Sequence, residues 1–457
     1  MRTEEFDVVV AGGGTTGVIA GLAAARNGAK TLIVERQRCL GGQFTAGSQG
    51  AWVGFSDKAN RIVSGLTWEL RDLLMERGAV VEEDPETDVC FLYDPEVSKV
   101  VLNEMLGKEK NLTTYFNTSV VDVLVEDDTV VGVIIQSQMD RIEVRAKVVI
   151  DTSGDASVAA QAGAPFEIRP RKEIQPMTLI GRLAGVDLDK VQAHYAANPA
   201  EHDHHVPPAW RDYKTFPGFM HYGIRDDLKN ADLPPHLEYL RHWLVIFTST
   251  PNPGEVTINC SGAIEAQSTA AEFEDRARQE IVSQACLYDV AEAMRTYIPG
   301  FENAYLSLIA SQLGVRESRR IIGDYKLTLD DFTSAREFED NVGRAAMPAG
   351  FHTPEGESMT VYDLPAGQSM GIPYRCMLPQ TREGLLVAGR CVSYEPPVAN
   401  TIRNMAQCMV MGQAVGTAAA LAVEHGTTPR GVDIKLLQDT LRAQGQTIDP
   451  IPAPAAA

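Results

Sequence analysis

Residues 6–11 form a short, β-branched apolar run that stops at Gly12-Gly13-Gly14-Thr15-Thr16-Gly17, and small apolar residues then follow over 18–27 in the pattern of a buried helix. Gly28 ends that helix, residues 31–34 make a second strand, and Glu35 stands at its carboxyl end. Strand, glycine turn, helix and strand in this order predict the start of a βαβ unit. Residues 119–126, 130–136 and 141–146 read as a meander with turns at Asp127-Asp128 and Met139-Asp140. A further buried strand at 147–150 runs into Asp151-Thr152-Ser153-Gly154-Asp155, ahead of a small-residue helix at 156–162.

The pattern changes between Pro165 and Pro253, where prolines, histidines and the aromatic residues Trp210, Tyr213, Phe216, Phe219 and Tyr222 accumulate, and a different domain is expected there. Helical periodicity returns over 263–297 and again over 303–312. Residues 385–388 make a late buried strand, residues 405–423 a long apolar helix, and the Pro/Ala tail after Asp449 is expected to fray. The helix at 405–423 has the length of a membrane span, but Gln407, Gln413, Thr417 and two glycines interrupt it, so it reads as a core helix and no membrane span is expected.

A length of 457 residues suits two interlocked domains, and 44% hydrophobic with 22% charged residues excludes disordered and fibrous classes. The formal charge of -20 repels phosphate backbones and anionic headgroups, which argues against nucleic acid as a partner. Seven dispersed cysteines without a CxxC pair fit reduced thiols, and the acidic stretch before residue 8 is no signal-peptide pattern, so the cytoplasm is the expected location. The Glu201-His202-Asp203-His204-His205 cluster has metal-ligand residue types, but Pro207-Pro208 beside it marks a solvated loop, and no metal site is expected.

The glycine turn carries the chemistry. Gly12 permits the sharp turn, Gly14 lets a pyrophosphate approach the backbone, Gly17 allows close packing of helix on strand, and the helix N-terminus supplies positive potential. Glu35 would hold ribose hydroxyls. NAD and FAD both use this fingerprint.

Four further blocks decide between them. They are Glu35-Arg36 with Leu40-Gly41-Gly42-Gln43-Phe44-Thr45; residues 148–155 with Gly163-Ala164-Pro165; residues 314–323, which contain Arg316; and residues 372–376 with 385–393, Arg403 and 412–416. With these blocks the sequence resembles the FAD-dependent oxidoreductase family of the glutathione-reductase-type flavoprotein clan, and more distantly the succinate dehydrogenase and fumarate reductase flavoproteins. The resemblance covers nearly the whole chain. It implies an α/β fold: a Rossmann-type FAD-binding domain in two parts, 1–165 and 371–426, with an inserted α+β substrate domain at 166–370 and a C-terminal helix and tail at 427–457.

FAD is the implied cofactor. The residues implied to hold it are Gly12, Gly14, Thr15, Thr16, Gly17, Glu35, Arg36, Gly41, Gly42, Gln43, Thr45, Val121, Gly154, Asp155, Gly389, Arg390, Arg403, Asn404 and Met405. The resemblance also puts the N-terminus of the 404–423 helix beneath the flavin pyrimidine edge. The implied reaction is hydride transfer between flavin N5 and a polar small molecule (an alcohol, an amine or a C–C bond), with oxygen, a quinone or an electron-transfer protein as the acceptor. His352, Tyr374, Arg375 and Arg316 are expected to converge on the reacting carbon. A flavin monooxygenase and a non-catalytic flavin-binding redox sensor are the alternatives, and a homo-oligomer is left open. Cys39 has no CxxxxC partner and the chain has no second GxGxxG unit, which disfavours a pyridine-nucleotide disulfide reductase.

Overall fold

Val8, Val9 and Val10 are all fully buried, and a strand that hides both faces must lie inside a sheet with layers on either side. In the computed structural model, which describes residues 2–81, 90–197, 220–260, 272–352 and 359–451, that strand is Arg2–Ala11, central in a seven-stranded sheet. The order is Leu112–Tyr115, Thr31–Val34, Arg2–Ala11, Arg141–Asp151, Thr129–Gln136 and Ser119–Glu126. Leu385–Val387 pairs with the carboxyl end of Arg141–Asp151. The first four strands and Leu385–Val387 run parallel, and the meander strands are antiparallel. The two strands expected at 141–146 and 147–150 are one, paired with Arg2–Ala11 from Ile142 to Asp151. Lys147, inside that strand, is exposed and pairs with Asp7 at 2.8 Å.

Helix Thr15–Arg26 packs on this sheet, and helix Met405–His425 packs on that helix. The crossing is made by absent side chains: a Cβ on Gly412 would lie 2.4 Å from the Thr16 carbonyl oxygen, and one on Gly416 2.2 Å from that of Ala20. Among the described residues Met405–His425 is the helix long and apolar enough to cross a membrane, and 94% of its apolar window is buried inside the protein.

A second sheet of five antiparallel strands has the order Met220–Tyr222, Val245–Ser249, Glu255–Cys260, Ile180–Ala184 and Tyr305–Ile309. Helix Phe273–Tyr297 covers one face, with Leu287 lying over Gly181. Tyr305–Ile309 corrects the helix expected at 303–312. Leu306 and Leu308 turn inward while Tyr305 and Ile309 stay exposed, and pairing with Ile180–Ala184 fixes that period of two. Leu327, Phe332, Phe338 and Val342, assigned from sequence to the inserted part, pack in one cluster with Val8, Ile19 and Met409. Residues 201–205, the aromatic residues at 210, 213, 216 and 219, and the first part of the 263–297 helix lie outside the described residues.

Candidate active site

Helix Thr15–Arg26 begins without a side-chain cap and without an acidic residue in its first turn. Its intrahelical bonding starts at Val18 N–H to the Gly14 carbonyl, so the first turn presents backbone donors and positive potential to whatever lies in front. A Cβ on Gly14 would meet nothing within 4 Å, whereas one on Gly17 would lie 1.8 Å from the Gly12 carbonyl oxygen. Gly14 therefore faces open space, and Gly17 is the packing glycine. The Gly41-Gly42 turn lies across Gly14: Gly41 N–H donates to the Gly13 carbonyl at 2.8 Å, and Thr15 Oγ1 donates to the Gly41 carbonyl at 2.9 Å.

Two cavities meet at this turn. The first, of about 250 Å³, is lined by Gly12, Gly14, Glu35, Arg36, Gly42, Asp155, Gln312 and the stretch Thr118, Ser119, Val120. Glu35 is 7% exposed; burial pushes its carboxyl above the usual range, although it accepts from Gln37 N–H at 2.7 Å. Val121, expected here, is 39% exposed and lines neither cavity. Thr118, Ser119 and Val120 line the cavity, and Val121 stands just beyond them at an irregularity in the strand pairing between Val120 and Asp122.

The second cavity, of about 270 Å³, opens between the two sheets. Gly14, Thr15, Thr16, Gly42, Gln43, Gly154 and Arg390 line one side, together with Arg403, Asn404, Met405 and Cys408 from the start of the second long helix. That helix, Met405–His425, also lacks a side-chain cap and an acidic first turn. Facing it are Ile180, Met220, Ile246, Thr248, Thr257 and Asn259 of the five-stranded sheet, and Arg316 and His352 also line it.

Among the described residues lining this second cavity there is no aspartate or glutamate, in a chain of net charge -20. Arg316 is buried and donates through Nη1 to the Pro176 carbonyl at 2.5 Å; burial, aided by Arg403, draws its pKa down to about 9. Burial also lowers that of Arg403, which donates to Asn400 Oδ1 at 2.9 Å. Burial, with Arg316 and Arg403 adding to it, holds His352 well below its usual value. The imidazole is therefore neutral at pH 7, and its Nδ1 has no hydrogen-bond partner among the described residues. Burial pushes the Cys408 thiol up to about 11, so it stays protonated.

Asp155 and Arg390 hold each other. Burial opposes ionisation of Asp155, but Arg390 at 2.7 Å and Arg276 outweigh it and keep the carboxyl below its usual range. Ser318 Oγ donates to the same carboxylate at 2.7 Å. Gly17, Gly41, Thr45 and Gly389 line neither cavity and shape the turns behind them; a Cβ on Gly389 would lie 2.6 Å from Thr16 Oγ1.

Tyr374 and Arg375 do not reach the site. Strand Met370–Pro373 pairs with Asn341–Ala345, and the tight turn Tyr374–Met377 carries both residues elsewhere. Tyr374 is buried in the core and donates to the Pro429 carbonyl at 2.9 Å. Arg375 is half-exposed, donates to both oxygens of Asp340 at 3.0 and 3.1 Å, and lies over the Tyr325 ring. Conversely, Thr248, Thr257, Asn259 and Gln312 reach the site without having been singled out in the sequence. The Thr-x-Asn alternation at 257 and 259 is a strand signal, but the partner strand that completes the wall is not local.

The family model described as FAD dependent oxidoreductase matches residues 7–441. Thiamine thiazole synthase of Methanococcus maripaludis (strain C7 / ATCC BAA-1331) is 32% identical over 168 residues, covering 34% of this chain and 59% of that protein. The tRNA uridine 5-carboxymethylaminomethyl modification enzyme of Dichelobacter nodosus (strain VCS1703A) is 30% identical over 161 residues, covering 33% of this chain and 24% of that one. The chain thus matches less than two thirds of the length of these relatives. A geranylgeranyl bacteriochlorophyll reductase-like structure from Thermoplasma acidophilum aligns over 96% of this chain and 83% of its own, with 15% identity and a TM-score of 0.49.

Proposed function

The chain belongs to the FAD dependent oxidoreductase family, and we propose that it oxidises an anionic alcohol, or reduces the matching carbonyl, in the cavity between its two sheets. FAD is the cofactor, and when bound it accepts or donates the hydride. The residues present fit it: the uncapped first turn of Thr15–Arg26, the open space at Gly14 and the Gly41-Gly42 turn would hold the pyrophosphate. Glu35 would hold the ribose, and the uncapped start of Met405–His425 would face negative charge gathered on the flavin.

The observation that carries the reading is the cavity lined by Arg316, Arg390, Arg403 and His352 with no acid among its described lining residues. Arg390 is engaged by Asp155, which leaves Arg316 and Arg403 to hold a substrate anion through charge-assisted hydrogen bonds. Loss of a hydride from a carbinol carbon also requires loss of the hydroxyl proton, and the neutral His352 imidazole can take it. An anion between the two guanidiniums offsets their repulsion of an imidazolium, so substrate binding raises the basicity of His352 when it is needed.

Anaerobic bleaching of the flavin against hydroxy acids, sugars, amines and aromatic alcohols tests this. Acidic alcohols should reduce the flavin, and His352→Gln should slow that reduction by about 10²-fold or more while keeping its FAD. Reduction at the parent rate in His352→Gln, or bleaching by amines alone, would overturn the reading.

A further inference from the structure

We infer that the substrate is a polyhydroxylated anion of sugar size, whose hydroxyl groups are read by Thr248, Thr257 and Asn259 of the five-stranded sheet. The inference rests on the anionic-alcohol reading above and adds the opposite wall. Alternate residues of a strand share a face, so Thr257 and Asn259 present side chains on one side of Glu255–Cys260, and both line the cavity. The register completes the wall. Thr257 lies opposite Thr248, Thr248 opposite Met220, and Asn259 opposite both Ile246 and Ile180.

Their hydrogen bonds fix what they offer. Thr248 Oγ1 and Thr257 Oγ1 are 2.6 Å apart and share one hydrogen, while the next contact of Thr257, with the Thr248 carbonyl, is long at 3.4 Å. The pair therefore keeps hydroxyl capacity for a ligand. Thr178 Oγ1 lies 2.7 Å from the Asn259 side-chain amide and 2.5 Å from the Cys260 carbonyl, so its single hydrogen serves one of the two and the amide is anchored at one end. Its other end is left for a ligand hydroxyl, which can accept from the amide nitrogen or donate to the amide oxygen. Two residues along a strand span roughly 7 Å, so Thr257 and Asn259 suit oxygens separated by several carbons rather than those of a two- or three-carbon acid. Ile180, Ile246 and Met220 lie beside them as an apolar floor, matching the C–H face that a sugar presents between its hydroxyl edges.

The test is anaerobic bleaching with aldonic, uronic and cyclic polyhydroxy acids, set against lactate, the neutral polyol glucitol and benzylamine, in the parent, Thr257→Val and Asn259→Leu. Both substitutions keep the number and branching of side-chain heavy atoms, and FAD content and thermal midpoint check folding. At least one sugar-sized acid should bleach the flavin with a lower half-saturating concentration than lactate. Both variants should raise that concentration by about tenfold or more with the limiting rate kept, and Thr257→Ser should restore it. Equal use of lactate, or unchanged half-saturation in both variants, overturns the inference and leaves the anionic-alcohol reading standing. Bleaching by glucitol or benzylamine but by no acid overturns both. Reduction by dithionite with no bleaching by any compound in the panel also overturns both.

Discussion

On the nucleotide-binding side of the cavity, the chain meets its ligand with what it lacks: Gly14 has empty space where a side chain would begin, and Thr15–Arg26 and Met405–His425 start without caps. On the opposite side the five-stranded sheet meets the cavity with side chains, Thr248, Thr257 and Asn259 among them. An atom added to the first wall at Gly14 therefore takes space from the ligand, and that ligand is common to a family. The second wall can change residue without changing backbone, so the same fold can be directed to a new substrate there.

The sharpest way to break this contrast is within the glycine turn. Gly17→Val puts an atom 1.8 Å from the Gly12 carbonyl oxygen and should abolish the folded protein, seen as lost soluble yield and lost far-ultraviolet ellipticity. Gly14→Val enters free space and should fold as apoprotein, with its 450-nm-region flavin absorbance gone and its thermal midpoint that of the stripped parent. Stoichiometric FAD in Gly14→Val would end the claim that empty space at this position is the binding surface. A smaller effect is expected at the helix crossing, where Gly412→Ala brings a methyl to 2.4 Å from the Thr16 carbonyl. Urea unfolding should show a loss of about 1–3 kcal/mol, and no loss would mean that the crossing can relax.

His352, which lines the cavity from a separate strand, gives a pH signature. Its folded pKa lies below its ordinary 6.5, so the unfolded chain binds the proton first and stability falls as pH drops below about 6.5. His352→Gln should flatten that part of the urea-midpoint profile between pH 7.5 and 5.5, and a profile identical to the parent would remove the buried neutral imidazole. The smallest effect should come from Arg375→Ala. Arg375 is half-exposed and Asp340 is buried but keeps the residue-375 N–H as a partner, so the cost should be about 1–2 kcal/mol, with flavin reduction unchanged. A large kinetic defect would restore Arg375 to the site.

The contrast also explains what could be read from the chain. Gly12, Gly14, Gly17 and Glu35 act through local spacing, and a local pattern survives in a linear string. The five-stranded sheet depends on register between strands whose partners are distant, so nothing near Thr248 announces Thr257. Val121 stands at a strand irregularity one residue beyond the stretch that lines the cavity, and spacing alone does not announce that irregularity. Residues 303–312 carry leucines that suit either a helix or a strand, and the pairing edge offered by Ile180–Ala184 decides. Tyr374 and Arg375 follow a resemblance in sequence, but Asp340 and the Pro429 carbonyl hold them elsewhere.

The glycine crossing between Thr15–Arg26 and Met405–His425 also separates two events in time. The first helix leaves the ribosome ~380 residues ahead of its partner, roughly 20–80 s at ~5–20 residues per second. Until then its Ala20 and Ala23 face has nothing to pack on, and only one of the two helix ends that open onto the cavity exists. Until residues 405–425 have emerged, the growing chain therefore lacks one of the two sets of backbone donors that face the cavity, and flavin binding with both sets awaits them.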